Sequence, residues 1–228
     1  NNVGHIISVC DQDRQHTLRL ASKTPVSVIE NGIDCSYYVP NRQPDINPLR
    51  ILFTGTSAPR NMIALHEFVR TIWPLIRSNM PDVEFLVGGN FSKSAQAEFS
   101  TIPNMRFTGR VEDMRPLFDQ STIFVAPFRE THGSKLKVAE AMAMGMPIVS
   151  TPEGVRGFPA EHGKNVLVAD DAETFARCCV ELLRDPEQRR RLGEAARQTA
   201  LEKLDWPVLG LRLRQIVEQV AAEAGLAS

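Results

Sequence analysis

A regular alternation of short apolar runs with longer helix-like segments, which starts near Leu49, most constrains the fold of this chain. The apolar runs, such as residues 51–54 and 123–126, are too short for buried helices and are followed by Gly or Pro. Strands that are apolar on both faces need cover on both faces, and strands that alternate with helices are typically parallel. The pattern therefore predicts an α/β fold, a parallel sheet with helices on both of its faces.

The same patterns predict the order of the elements. Strands are expected at 5–9, 26–29, 51–54, 85–87, 105–108, 123–126, 148–150 and 166–168. Helices are expected at 11–22, 61–77, 92–99, 113–120, 134–144, 171–184, 187–204 and 207–224. Asp11 and Asp171 are the expected caps of their helices, and Leu18 and Leu20 are expected to form part of an apolar face. Pro74 should kink or break its helix, because proline removes a helical hydrogen bond.

The composition of residues 35–48 differs from that of the rest of the chain. This segment is rich in Pro and Asn and poor in apolar side chains, which is typical of a linker. We therefore expect a boundary near residue 40, with 1–40 as the end of one domain plus the linker and 41–228 as a second domain. The chain starts at Asn1 and its first strand pattern follows almost at once, so we expect it to be a fragment of a longer protein.

Bulk composition gives no support for several classes of function. The net charge of −1 provides no general attraction to nucleic acid, and no apolar run approaches the length of a membrane span. Cys10, Cys35, Cys178 and Cys179 lack the spacing of metal ligands. We expect all four to be reduced thiols in a cytosolic compartment.

The stretch 131–145, T-H-G-S-K-L-K-V-A-E-A-M-A-M-G, lies between two predicted strands and is typical of a loop that opens a helix. Its candidate ligands are Gly133, Ser134, Lys135, Lys137 and Glu140. The glycine precedes the helix, the serine is placed to cap it, and both lysines fall in its first turn. Free N–H groups and the dipole at a helix start attract anions, and the lysines add full charges. The glutamate can accept hydrogen bonds from a ribose, so the stretch predicts a nucleotide site.

Spacing alone leaves a simpler alternative open. Lys137 and Glu140 can form an ordinary i,i+3 ion pair on the helix surface, worth about 0.2–0.5 kcal/mol. Lysines in a first turn also oppose the helix dipole. His132, just before the key glycine, can be a plain loop residue.

Other candidate loops follow the carboxyl ends of predicted strands, where open α/β sheets bind ligands. Gly55 permits close approach of a ligand to the backbone. Arg60 can form a forked contact with a phosphate, or it can be a solvated loop residue.

Two further loops each allow two interpretations. Val111, which follows Arg110, can offer backbone groups to the edge of a base, or the segment is a plain turn with Asp113 as a helix cap. Residues 151–157, which include two glycines and Arg156, either line a pocket or form a surface loop.

Several motifs in a fixed order resemble those of family 4 retaining glycosyltransferases, which have the GT-B architecture of two facing Rossmann-like domains. The motifs are V-I-E-N-G-I-D at 28–34, F-T-G at 53–55 with P-R-N at 59–61, F-T-G-R-V at 107–111, and G-S-K-L-K-V-A-E-A-M-A-M-G-M-P-I-V-S-T at 133–151. The last motif is the most specific, and the resemblance covers roughly residues 26–205. It implies a Rossmann-like C-terminal half of such an enzyme, closed by a helix that crosses back to the N-terminal domain.

The resemblance also implies a role for each matching residue. Glu140 would bind the ribose hydroxyls of a nucleotide diphosphate sugar. The pyrophosphate would be held by Gly133, Ser134 and Lys135, with Lys137 close by. Arg60 would stabilise the diphosphate as it leaves, so Arg60, Lys137 and Glu140 are the residues expected to act in catalysis.

The resemblance also has implications for the base of the nucleotide and for the need for a metal ion. Gly55 would allow close approach of the donor, and Arg110 and Val111 would meet the base. No metal or other cofactor is implied, because the basic residues neutralise the diphosphate.

The chain departs from the family pattern at two positions. His132 stands where the family usually has a glutamate that binds the donor sugar, and Glu130 lies two residues out of register. Arg156 stands where an acidic residue is common. The resemblance thus implies a nucleotide site with His132 beside the donor, and it leaves the donor sugar open.

The resemblance therefore implies the donor-binding domain of a glycosyltransferase of the hexosyltransferase type, in bacterial-type glycan biosynthesis. Its expected partners are a nucleotide diphosphate sugar, the missing N-terminal domain and an acceptor of unknown identity, with no nucleic acid. We expect a cytoplasmic protein, attached peripherally to the inner face of a membrane through the missing domain, and no turnover by this fragment alone. A nucleotide-sugar epimerase of the same architecture and a non-catalytic nucleotide-binding module stay open as alternatives.

Overall fold

The computed structural model describes residues 4–21, 23–41, 49–129 and 134–223. Its strands are β1 (Ile6–Ser8), β2 (Val26–Val28), β3 (Arg50–Thr54), β4 (Glu84–Gly88), β5 (Met105–Phe107), β6 (Ile123–Ala126), β7 (Ile148–Ser150) and β8 (Leu167–Val168). Its helices are α1 (Asp11–Leu20), α2 (Pro59–Glu67), α3 (Trp73–Asn79), α4 (Lys93–Ala97), α5 (Arg115–Asp119), α6 (Leu136–Ala143), α7 (Ala172–Arg184), α8 (Pro186–Lys203) and α9 (Trp206–Glu223).

A six-stranded sheet of order β5-β4-β3-β6-β7-β8 forms the centre of the fold, and every neighbouring pair is parallel. β4 and β5 follow β3 toward one edge of the sheet, whereas β7 and β8 follow β6 toward the other edge. This reversal creates a crevice beyond the carboxyl ends of β3 and β6, where such sheets bind ligands. β1 and β2 pair with each other in a separate parallel sheet. The predicted α/β fold with a parallel sheet is confirmed.

The central strands are buried because helices cover both faces of the sheet. All four residues of β6 are inaccessible to solvent, as are the first three apolar residues of β3. Phe68, Trp73, Phe85 and Phe175 pack together as an aromatic cluster on the sheet. Each such buried side chain contributes about 1.5–3 kcal/mol by leaving water, so this cluster is a major part of the core.

The predicted break near Pro74 is confirmed. A π-helical segment, Phe68–Ile72, separates α2 from α3, and the proline lies in the first turn of α3. A proline fits there because the first N–H groups of a helix need no intrahelical acceptor.

Two predictions about α1 are wrong. Cys10, not Asp11, caps the helix, because its Sγ accepts a hydrogen bond from the N–H of Asp13 at 3.5 Å. No residue of α1 is buried, Leu20 is 77% exposed, and Leu18 is only partly covered, so the helix has no buried apolar face. α1 ends at Leu20 rather than Ser22, which lies outside the described residues.

The predicted capping of α6 by Ser134 is also wrong. Lys135 occupies the cap position, and the helix begins at Leu136. The Oγ of Ser134 instead accepts a hydrogen bond from Nδ2 of Asn31, far away in the sequence. Lys135 therefore precedes the helix, and only Lys137 lies in its first turn.

The predicted linker falls partly on 42–48, outside the described residues. Its first part is fixed to the main body of the chain. Arg197 of α8 donates hydrogen bonds to the carbonyls of Cys35 and Tyr38, at 2.9 and 2.6 Å, and Arg115 donates to the carbonyl of Tyr37 at 3.0 Å. The boundary near residue 40 stays a prediction.

Three further features concern the whole described chain. The helices of the described ranges include none with the length and apolarity needed to cross a membrane. All four cysteines are free and buried. In the same ranges, His, Cys, Asp and Glu side chains form no group of three that could hold a metal ion.

Gly154, in the loop after β7, is expected to tolerate no side chain. A Cβ there would lie 2.2 Å from Oγ of Ser150 and 2.3 Å from the carbonyl oxygen of Ala126, both on buried strand ends. We expect Gly154→Ala to lower the free energy of unfolding by about 1–3 kcal/mol, as overpacking does in a tight core.

Gly210 of α9 is the matched control, because a Cβ there meets no heavy atom within 4 Å. Gly210→Ala should raise stability by up to about 1 kcal/mol through helix propensity. Urea denaturation of both variants checks the contrast, and equal midpoints for Gly154→Ala and the wild type would contradict it.

Candidate functional site

A cleft of about 440 Å³ opens at the carboxyl ends of β3, β4 and β6, where the direction of sheet building reverses. Its walls come from the loops after these strands, the segment around Arg110, and the start of α6. The described residues that line it are Thr54, Gly55, Thr56, Arg60, Asn61, Gly89, Asn90, Arg110, Val111, Met114, Phe128, Ser134, Lys135, Leu136, Lys137 and Glu140.

The structure brings together eight of the residues that the sequence predicts for the site. They are Gly55, Arg60, Arg110, Val111, Ser134, Lys135, Lys137 and Glu140. The other two predicted residues, His132 and Gly133, lie outside the described residues. Segments that are distant in sequence thus converge on one cleft, as the loop positions predict.

Lys137 reaches from the first turn of α6 to the end of β3. Its Nζ donates hydrogen bonds to the carbonyl oxygen of Thr54 and, at 2.9 Å, to Oδ1 of Asn61. The same Nζ lies 4.8 Å from the ring centre of Phe53 and 4.9 Å from that of Phe128. The amino group is therefore held between two aromatic rings at the wall of the cleft.

Burial lowers the pKa of Lys137 to about 7. The neighbouring Glu140 carboxylate opposes this change, whereas the positive charges of Arg60 and Lys135 add to it. The amino group therefore sits where a further negative charge would be favourable. Lys137 and Glu140 do not form the ordinary exposed ion pair that spacing alone left open.

Glu140 faces the hydroxyl of Tyr38, which lies in the first part of the predicted linker. Burial raises the pKa of Glu140, while hydrogen bonding to Tyr38 and the charge of Lys137 partly offset that rise. Burial and the Glu140 charge in turn raise the pKa of the Tyr38 phenol, so Tyr38 stays a hydrogen-bond donor. Tyr38 and Lys137 thus both stabilise the charged form of the Glu140 carboxyl group.

Lys135 is only 5% exposed and its Nζ lies 3.2 Å from Oε1 of Glu153. The other oxygen of Glu153 lies 2.5 Å from the guanidinium of Arg156. Burial lowers the pKa of Lys135, and Glu153 opposes that change. The 151–157 loop therefore contributes to the site indirectly, because its Glu153 holds Lys135 at the wall of the cleft. Arg156 is not among the described residues that line the cleft.

Arg60 and Arg110 are exposed side chains on the walls of the cleft. They add positive charge without being buried, so a ligand can reach both. Val111 lines the cleft next to Arg110, and Asp113 Oδ1 accepts a hydrogen bond from the N–H of Arg115 at 2.9 Å. Met114, not Asp113, occupies the cap position of α5, so the prediction of Asp113 as the helix cap is wrong. The contact between Val111 and a base stays a prediction.

Gly55 and Gly89 lie at the floor of the cleft, where two strand ends are close together. A Cβ on Gly55 would lie 3.0 Å from Cγ of Asn61 and 3.2 Å from Nζ of Lys137. Gly89 has a φ of +116°, and a Cβ there would lie 2.1 Å from the carbonyl oxygen of Gly55. Glycine at both positions lets the ends of β3 and β4 approach closely.

Sequence reasoning missed some contributors to the site. Asn61 stands in the P-R-N motif beside Arg60, and that position was a usable signal. Gly89 ends an apolar strand run, which is also a usable signal. Tyr38 had none, because its contact with Glu140 joins segments that are far apart in sequence.

The cleft, at the carboxyl ends of the strands, contains several cationic side chains and one carboxylate that Tyr38 and Lys137 stabilise. Among the described lining residues the cations are Arg60, Arg110, Lys135 and Lys137, and the carboxylate is Glu140. Such a set can hold a polyanion and accept hydrogen bonds from neighbouring hydroxyl groups.

Comparison with known proteins places this geometry in context. Residues 48–185 match the family described as Glycosyl transferases group 1. A GDP-mannose-dependent monoacylated alpha-(1-6)-phosphatidylinositol monomannoside mannosyltransferase of Corynebacterium glutamicum is 25% identical in an alignment that covers 95% of this chain and 63% of that protein. The chain spans about half the length of the curated relatives it matches.

Solved structures share the fold. The sucrose-phosphate synthase of Thermosynechococcus elongatus superposes with a TM-score of 0.76 at 20% identity, covering 97% of this chain and 59% of that one. Anabaena HepE in complex with UDP gives a TM-score of 0.77 at 14% identity, covering 95% and 64%. These neighbours have the Rossmann-like α/β fold of GT-B glycosyltransferases. The family match covers more than half of the chain, and the chain therefore belongs to the group 1 glycosyltransferases.

Proposed function

We propose that this chain is the donor-binding part of a retaining glycosyltransferase that uses a nucleotide diphosphate sugar. The observation that carries the proposal is the convergence of four cationic side chains and Glu140 in one cleft at the reversal point of the sheet. Family membership supports the same function. The acceptor and part of the catalytic site then belong to a domain beyond this chain.

In this proposal each side chain has a chemical task. Glu140 accepts hydrogen bonds from the ribose, and Arg110 and Val111 meet the base. Ser134 and Lys135 hold the diphosphate, together with Gly133. Arg60 and Lys137 stabilise the negative charge that grows on the diphosphate as its bond to the sugar breaks and a bond to the acceptor oxygen forms. These cations take the place of a metal in neutralising the diphosphate.

The nucleotide and the setting are also part of the proposal. One relative is named for GDP-mannose and a structural neighbour is solved with UDP, so these two nucleotides are the first candidates for this chain. His132 is proposed to stand beside the donor sugar. We propose a cytoplasmic enzyme of the hexosyltransferase type, held at the inner face of a membrane through its other domain.

Calorimetric titration with UDP, GDP and ADP tests the proposal. We expect saturable binding of one nucleotide and weaker binding of the other two, with no gain on adding Mg²⁺. No binding of any of the three to the folded chain and to the full-length protein would contradict the proposed function and favour a non-catalytic module.

A further inference from the structure

Asn61 bridges the two walls of the cleft with a buried side chain. It is only 6% exposed and stands at the start of α2. Its Nδ2 donates a hydrogen bond to the carbonyl oxygen of Thr56 at 3.0 Å. Because that carbonyl can only accept, the orientation of the amide is fixed and Oδ1 must point the other way. Oδ1 accepts the hydrogen bond from Nζ of Lys137 at 2.9 Å.

The Nζ of Lys137 has a second acceptor in the carbonyl of Thr54. A neutral lysine amine has two N–H groups and a charged one has three. Two acceptors therefore use both N–H groups of the neutral amine, and protonation adds a third. Lys137 lines the cleft, so the third N–H is the one available to a ligand.

We propose that Asn61 is a positioning residue that holds the amino group of Lys137 so that one N–H is directed at the diphosphate of the donor. This inference rests on the function proposed above. Asn61 itself needs no contact with the donor, because its partners in the structure are Lys137 and Thr56.

The charges around Lys137 give the proposal a measurable consequence. Glu140 faces it from α6, Arg60 from α2 and Lys135 from the residue before α6, and the rings of Phe53 and Phe128 enclose it. Because burial lowers the pKa of Lys137 to about 7, the free amine is mostly neutral at pH 8. A bound diphosphate favours the ammonium form, so Lys137 takes up a proton from solvent when the nucleotide binds.

Two variants of Asn61 separate positioning from folding. Asn61→Asp keeps the size and the acceptor but adds a charge beside Lys137, which should raise the pKa of the amine by at least about one unit. Asn61→Leu removes the acceptor, and it should weaken nucleotide binding about tenfold, as the loss of one hydrogen bond to a charged group does. Circular dichroism shows whether each variant is folded.

The experiment combines lysine NMR with calorimetry on the 228-residue chain. The ¹³Cε resonance of Lys137, assigned by its loss in Lys137→Met, should titrate near pH 7 in the wild type and at higher pH in Asn61→Asp. Calorimetry with UDP or GDP at pH 8, in two buffers of different ionisation enthalpy, should show close to one proton taken up by the wild type and much less by Asn61→Asp.

Two results would overturn the inference. The first is a Lys137 titration that is the same in Asn61→Asp and in the wild type. The second is nucleotide binding by Asn61→Leu with the wild-type Kd. If neither the wild-type chain nor the full-length protein binds any nucleotide, the proposed function fails instead, and the NMR titration still tests the coupling between Asn61 and Lys137.

Discussion

Replacement of Glu140 by alanine is expected to weaken binding of the preferred nucleotide by roughly 10- to 150-fold. Hydrogen bonds to a charged acceptor are worth about 1.5–3 kcal/mol, and this carboxylate is partly buried in the cleft beside Lys137. The substitution also leaves the Tyr38 hydroxyl without its acidic neighbour. Isothermal calorimetry of the wild type and Glu140→Ala measures the loss.

Two comparisons make the Glu140 result specific. Glu202→Ala, on the exposed surface of α8, should bind like the wild type. Burial raises the pKa of Glu140, so wild-type binding should fall with acidification at a higher pH than an ordinary glutamate would give. Glu140→Gln should lack that acid limb. Equal affinity of Glu140→Ala and Glu202→Ala would refute the assignment of Glu140 to the nucleotide.

The sheet was predictable because each central strand is a continuous apolar run. Residues 51–54, 123–126 and 148–150 are apolar except for Thr54 and Ser150 at the carboxyl ends of their strands, and both of these are buried, so a parallel sheet covered on both faces accommodates them. The positions of the candidate ligands followed from the same reasoning. Carboxyl ends of parallel strands meet at one edge, which is why Gly55, Arg110 and Lys137 line a single cleft.

The failures at the candidate site have a different cause, because contacts between distant segments decided them. Ser134 has the right chemistry for a cap, but its hydroxyl is engaged by Asn31. The polar pairs Tyr38–Glu140 and Asn61–Lys137 join positions that no local pattern relates. Sequence spacing predicts which residues can reach a strand end, whereas it does not predict which of them support one another there.

Lys137→Met is expected to weaken nucleotide binding by at least about 30-fold, because removal of one partner of a buried charge pair costs about 2–5 kcal/mol. The same change should leave the chain folded. Methionine is similar in length and can fill the space between Phe53 and Phe128 with favourable sulfur–ring contacts. Calorimetry measures the affinity, and thermal unfolding measures the stability.

The pH dependence of the free energy of unfolding provides a second test of Lys137→Met. The pKa of Lys137 is lowered to about 7 in the folded chain from its ordinary value of 10.5, so below pH 7 both states are charged and the full cost of burying the ammonium is present. Between pH 7 and 10.5 the unfolded chain binds the extra proton, so wild-type stability rises with pH. Methionine has no titratable proton. The free energy of unfolding of Lys137→Met should therefore exceed that of the wild type by up to about 3 kcal/mol at pH 6, and this difference should shrink as the pH approaches 10. A relative stability of Lys137→Met that grows with pH would show that the buried amine does not favour its neutral form.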